Sequence, residues 1–253
     1  MSAATQRRIA FDAPEAFDAQ VAARIAAIDW QHIHAELDNT GYAILPAMLS
    51  PSDCAAVAAD YDASGRFRST VVMARHGFGR GEYKYFAYPL PGLVSTLRTA
   101  LYARLCTTAN RWNETMNLSV RYPNDHETFL DRCHGAGQTR PTPLLLSYQP
   151  GDFNCLHQDL YGEHVFPLQV AILLSKPDRD FTGGEFILAE QRPRMQSRAT
   201  VVALDQGDAV VFAVNNRPVR GTRGSYRVKM RHGVSLLRSG RRYTLGIIFH
   251  DAK

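Results

Sequence analysis

The chain has 253 residues, 45% hydrophobic and 21% charged, with a formal net charge of +5. This composition excludes a disordered or collagen-like chain and suits a globular protein with a sizeable core. No apolar run approaches the ~20 residues a membrane span needs, and the positive balance leans toward anionic partners.

The first residues, MSAATQRRIAFDAPEAF, hold no apolar signal core and soon carry Asp12 and Glu15. They are read as lacking a secretory or transit peptide, which predicts a cytoplasmic protein. The cysteines, Cys54, Cys106, Cys133 and Cys155, form no C-x-x-C pair and are expected to be reduced and mostly buried. Cys133-His134 has no partner at zinc spacing.

A helix is expected over 14–28, opened by Pro14, with Phe17, Val21, Ile25 and Ile28 on one face. A second is expected over 51–62, with Ser50 or Ser52 as N-cap and Pro51 at its start. A third should run from about 92 to 114 through Leu97, Leu101, Leu105 and Trp112. Between these two, residues 66–88 interleave Arg66, Arg68, Arg75, Arg80 and Lys84 with Phe67, Phe78, Tyr83, Tyr85, Phe86 and Tyr88. Gly77, Gly79 and Gly81 are read as making its centre pliable.

From residue 143 short β-rich runs replace the helical periods. They cover 144–148, 155–159, 168–174, 184–190, 200–204, 208–214, 231–237 and 242–249, punctuated by pairs such as Pro150-Gly151 and Gly183-Gly184. The expected fold is mainly β with N-terminal helices, the β part being a double-stranded β-helix, or jelly roll. Residues 1–142 are read as a helical and extended region wrapping a core at 143–253. No Pro/Gly/Ser-rich linker divides them.

His157 and Asp159 lie two apart on an expected strand, so both should face one point inside the barrel. His232, on a later run, supplies a second imidazole. Two imidazoles and a carboxylate make the facial triad that holds non-haem Fe(II) with positions left open. Arg242, ten residues on, is placed to pair with a carboxylate, because its planar fork stays charged when buried. Arg241 competes for that role, but strand alternation lets only one of them point inward. Any one histidine here is more often a core or surface residue. The combination is what carries the reading.

With these residues in view, the region 143–250 resembles the Fe(II)/2-oxoglutarate-dependent dioxygenase superfamily. SYQPGDFNCLHQD (147–159), GGEF (183–186) and HGVSLLRSGRRYTLGIIF (232–249) are similar to its prolyl-4-hydroxylase-like branch. The resemblance implies a jelly-roll core, with Fe(II) held by His157, Asp159 and His232. It also implies 2-oxoglutarate anchored by Arg242, with Tyr148 and Thr244 as further hydrogen-bond donors. Dioxygen is the co-reactant, and decarboxylation of 2-oxoglutarate is coupled to hydroxylation of a C–H bond. His126, His134 and His164 are left without a metal role.

For the substrate, the layout resembles a bacterial branch proposed to act on alkylation-damaged DNA, where hydroxylating an N-methyl group releases formaldehyde. Residues 192–231 hold nine basic side chains against two acidic ones, and with 66–88 they are the candidate contacts to single-stranded or flipped-out nucleic acid. The plainer reading is a solvated basic loop and a hairpin packed on the barrel. The chain departs from well-known alkylated-base dioxygenases at Ile248, where they carry a second Arg. The alternatives are a peptidyl-prolyl or small-molecule hydroxylase and a non-catalytic cupin-like binding module.

Overall fold

A computed structural model describes residues 16–63, 65–222 and 224–253. Pro14 and Arg223 therefore lie outside the described residues, as does the start of the first expected helix. That helix, α1 (Ala16–Ala27), is followed by α2 (Trp30–Thr40), which the sequence reading left out. Its signals are local. Asp29 accepts from the His32 N–H at the N-terminus, and Gly41 ends the helix with φ 85°.

Strand β1 (Tyr42–Leu45) then leads to α3 (Pro51–Ala59), continued by a 3-10 turn at Asp60–Asp62. Ser50 and Asp53 form a reciprocal capping box at its start. The basic-aromatic segment folds as β2 (Phe67–Val72), β3 (Gly79–Arg80) and β4 (Glu82–Phe86). The long helix α4 (Gly92–Thr115) matches its expectation, and a further helix, α5 (His126–Gly135), follows.

The β region comprises β5 (Leu144–Tyr148), β6 (Phe153–His157), β7 (Leu168–Leu173), β8 (Phe181–Gly183) and β9 (Phe186–Gln191). It continues through β10 (Arg198–Val202), β11 (Ala209–Ala213) and β12 (Asn216–Gly221). The chain ends with β13 (Gly224–Val234), β14 (Leu237–Gly240) and β15 (Arg242–Ile247). Two expectations shift. The basic stretch before His232 is a β12–β13 hairpin, not a loop, and the expected strand 155–159 ends at His157, leaving Asp159 beyond it.

The larger sheet runs β1-β11-β7-β15-β5-β4-β2 and the smaller β10-β9-β13-β6-β3, with β12 paired to β13. All the pairings between named strands are antiparallel. This is the expected jelly roll with helices added. Period-2 alternation divides the larger sheet between two environments. Tyr243, Leu245 and Ile247 of β15 face away from the cavity, while Arg242, Thr244 and Gly246 line it. Leu97, Leu101, Leu105 and Trp112 of α4 join Leu245 and Ile247 in one apolar core. The helices thus back the larger sheet, and the face toward the smaller sheet is left for the site.

Candidate metal centre and cosubstrate pocket

His157 is the last residue of β6 and His232 lies directly across from it on β13. The two rings sit 4.2 Å apart between centroids. Asp159 reaches the same point from the coil after β6, two residues beyond His157. Its two carboxylate oxygens lie 3.4 Å from His157 Nε2 and 3.4 Å from His232 Nε2. One donor atom from each residue falls within 4.8 Å of the others. Small closure brings three such atoms to the ~2.1 Å radius typical of metal–ligand bonds.

The surroundings fix the ligand tautomers unevenly. The Cys155 carbonyl takes the Nδ1 proton of His157 at 2.8 Å, which leaves the Nε2 lone pair for a metal. His232 has no such partner. Its Nδ1 is buried and unpaired, and the Phe212 ring packs 4.7 Å from its own. Burial acts to raise the Asp159 carboxyl, but hydrogen bonds and charge from both histidines hold it well below the usual carboxylate range. Burial and the neighbouring His157 push the His232 imidazole below its ordinary value.

Arg242 lies at the far end of the same cavity, 2% exposed. Its Nη1 donates to Thr244 Oγ1 at 2.6 Å, and its Nε has no partner. The rings of Tyr148 and Phe181 lie 5.6 and 5.8 Å from its guanidinium carbon. The Tyr148 hydroxyl is also buried without a partner. Burial pulls the arginine down to about 10, so it stays charged at neutral pH. A buried cation with no carboxylate in hydrogen-bond contact costs several kcal/mol, and an anionic ligand removes that cost. The donor set and these orphaned atoms therefore fit both groups, a divalent iron at the triad and a carboxylate at Arg242. Arg241, next in the chain, is exposed and touches Ser147 from the other face of β15.

Gly184, in the GGEF stretch, makes the arginine's position possible. Its φ is 63°, and a Cβ there would lie 2.6 Å from Leu237 Cδ1 and 3.1 Å from Arg242 Cδ. Gly81 plays the same part for Tyr148, with a Cβ position 3.0 Å from the tyrosine ring. Gly79 and Gly81 thus serve close packing, and Gly77, Gly79 and Gly81 all hold positive φ.

The family comparisons agree with this geometry. Residues 81–252, about two-thirds of the chain, match the model of a family described as an oxygenase catalysing oxidative methylation of damaged DNA. The chain belongs to this oxygenase family. Uncharacterised proteins from two strains of Mycobacterium tuberculosis are each 47% identical over 190 residues, covering 74% of this chain and 82% of theirs. Among solved structures, a prolyl hydroxylase of Trichoplax adhaerens superposes with TM-score 0.55 at 14% identity, covering 94% of each chain. An oxidoreductase of the 2-oxoglutarate/Fe(II) oxygenase family from Burkholderia pseudomallei gives 0.51 at 17% identity, over 89% of this chain and 94% of that one. Those likenesses establish the fold. Within that fold, a chain of an oxygenase family carries three residues, His157, Asp159 and His232, that could hold a metal ion.

Around the triad this oxygenase adds Tyr161, which the sequence reading passed over. The Tyr161 hydroxyl donates to Asp159 Oδ1 at 2.7 Å and is hydrogen-bonded to Tyr85 as well. Tyr83 and Tyr85 of β4 pack edge to face, 5.3 Å apart. The one signal for Tyr161 was its place two residues after Asp159. The spare histidines find ordinary partners: His126 Nε2 meets the Phe249 carbonyl, and His134 Nε2 meets Asp251, each at 2.8 Å. Ile248 is buried in the apolar cluster containing Tyr148 and Leu173, so no second cation stands there.

The basic stretch 192–231 is less free than its charge count suggests. Glu190 binds Arg217, wholly buried, at 2.5 Å and Arg192 at 2.7 Å, with Arg198 at 3.5 Å. Arg227, Lys229 and Arg231 alternate outward along β13 and are exposed. Among the described residues no helix is long and apolar enough to cross a membrane. Cys54, Cys106 and Cys133 are buried free thiols, and Cys155 is exposed.

Proposed function

We propose that this chain removes N-alkyl groups from damaged nucleic acid by hydroxylating the carbon attached to nitrogen. The observation that carries the reading is a single cavity lined by His157, Asp159, His232 and an unpaired Arg242, in a chain of a DNA-damage oxygenase family. Iron bound at the triad would supply oxygen activation, which the side chains alone do not provide. Of the two oxygen atoms, one ends in succinate, formed with carbon dioxide from 2-oxoglutarate. The other becomes the hydroxyl of an N–CH2OH group, which breaks down to the N–H base and formaldehyde. This chemistry takes a methyl group off; it does not add one.

The residues have separate tasks in this reading. His157, Asp159 and His232 would ligate the metal. Arg242 would grip the distal carboxylate of 2-oxoglutarate, with Thr244 holding its Nη1 and Tyr148 offering its free hydroxyl. Packing of Phe212 on His232 keeps water from one side of the site. The exposed cations of β13 and of residues 66–88 are the proposed contacts to the phosphate backbone. Residues before 143 are proposed to work with the core as one unit, a reading supported by β1 and β4 being strands of the same sheet as β15.

The test is succinate release by Fe(II)-loaded protein in air, with and without a methylated single-stranded oligonucleotide. Stimulation by the methylated strand alone, with matching formaldehyde, is the expected result. Succinate release indifferent to the oligonucleotide but raised by a proline-containing peptide would replace this substrate with a peptidyl one.

A further inference from the structure

Contacts that run outward from the triad through two tyrosines lead to two cations, Arg68 and Arg140. The order of contacts starts at the triad. Tyr161 donates to Asp159 at 2.7 Å and is hydrogen-bonded to Tyr85. The Tyr85 ring carries the Arg68 guanidinium on its face, 4.4 Å from the ring centroid. Arg68 is held in place by its Nε, which donates to the Pro141 carbonyl at 2.8 Å. Pro141 directly follows Arg140, so the two cations are brought together by the backbone itself.

A second set of contacts locates Arg140 independently. Gln138 is fully buried and its amide clamps the loop that follows Asp159. Its Nε2 donates to the Tyr161 and His164 carbonyls at 3.1 Å each, and its Oε1 accepts from the Glu163 and His164 amides. Arg140, two residues on, is pinned through its backbone to Ala252 in both directions. Its exposed side chain makes no hydrogen bond or ion pair among the described residues. The carboxylate acting on Arg68 is Asp251, which is already bound by Arg98, His134 and Tyr88.

Two guanidiniums, neither in an ion pair and both held by backbone contacts, stand beside two phenols that lead to the iron ligand. We propose that Arg68 and Arg140 form a phosphate seat for the nucleotide whose base enters the triad. Two side chains, Tyr85 and Tyr161, stand between the seat and Asp159. The seat rests on the nucleic-acid reading of the function and refines it. It makes the enzyme recognise the target unit as a nucleotide, with Tyr85 and Tyr161 forming the wall that the base passes.

The experiment compares an N-methylated nucleoside, its monophosphate and a short methylated strand as substrates, by formaldehyde yield. Wild-type protein should favour the monophosphate over the nucleoside. Arg140→Gln should raise KM for the monophosphate about tenfold, the worth of one charge-assisted hydrogen bond. The same variant should leave KM for the nucleoside and for 2-oxoglutarate unchanged. Arg68→Gln should act in the same direction. With the short strand, Arg140→Gln should flatten the log–log salt dependence of binding by about 0.7. Equal use of nucleoside and monophosphate by wild type, or no change in KM in Arg140→Gln, overturns the seat while leaving the demethylase reading intact. No formaldehyde from any of the three overturns that reading itself, and inorganic phosphate failing to protect Arg140 from a guanidine-modifying dicarbonyl would then overturn the seat separately.

Discussion

The two ends of the cavity treat charge in opposite ways. At the inner end, Arg242 is 2% exposed, lies near two aromatic rings and meets no carboxylate within hydrogen-bond reach. At the outer end, Asp159 sits between two imidazoles, and His157 keeps a third of its side chain exposed. An isolated buried cation is tolerated where a ligand of opposite charge completes it. A carboxylate bracketed by two nitrogens at 3.4 Å, with the His157 ring proton held by the Cys155 carbonyl, is arranged to share a cation. On the proposed reading, affinity for the cosubstrate belongs to one end and reactivity to the other, and substitutions at the two ends should separate them.

The largest effect belongs to the outer end. Asp159→Ala or His157→Ala should lower succinate release by more than the ~10²-fold typical of losing an outer-shell partner, since each removes a ligand itself. Normal turnover in either variant would remove the assignment. Next comes Arg242→Met. Losing a two-pronged charged contact, roughly 3 kcal/mol, should raise KM for 2-oxoglutarate about 10²-fold. Thermal stability should not fall with it, because the variant no longer buries an uncompensated charge. A fall in stability with KM unchanged would make Arg242 a structural residue.

A third prediction concerns the whole fold's response to acid. Burial first, and then the charge of Arg98, depress both His126 and His250 to about 4. When a histidine's folded value lies below its unfolded value of ~6.5, the unfolded chain binds more protons between the two. Stability therefore rises with pH across this window and is lost as pH falls from about 6.5 toward 4, by up to ~1.4 kcal/mol per unit for each group. Urea midpoints at pH 7 and pH 5 should show that loss, and His250→Phe should reduce it. A flat profile would mean that these imidazoles become protonated in the folded protein.

The residue types of the candidate site were legible because the chemistry admits few substitutes. A metal needs nitrogen and carboxylate donors, and a dicarboxylate needs a guanidinium. The strands were legible where short apolar runs adjoin turn pairs, as in β5 before Pro150-Gly151 and β11 after Gly207-Asp208. What escaped depends on distance along the chain. The linear count of 192–231 could not show that Glu190 quenches Arg192, Arg198 and Arg217, since the last lies 27 residues away. Four-residue β1 exists through pairing with β11, and its own run is too short to announce a strand. Asp159 lies two residues past His157 in the coil after β6, because β6 ends earlier than the run 155–159 suggests. In α2 the cap signals at Asp29 and Gly41 were present, but polar His32, His34, Glu36 and Asp38 weakened its apolar period.

The smallest predicted effect tests strand alternation on adjacent, chemically identical side chains. Arg241 and Arg242 differ in sequence position by one, and the chain directs them to opposite faces of the sheet as it enters β15 at Arg242. Arg242 faces the cavity, and Arg241 lies over the Tyr243 ring at 5.0 Å on the exposed side. Arg241→Met should therefore change KM for 2-oxoglutarate less than about threefold and stability by less than ~0.5 kcal/mol, the usual scale for a surface substitution. The same substitution one residue later should produce the ~10²-fold loss given above. A register slip of one residue in β15 would invert the pair. Equal effects at both positions would mean that the register pairing Arg242 with Tyr148 is wrong, and with it the inward placement of Thr244.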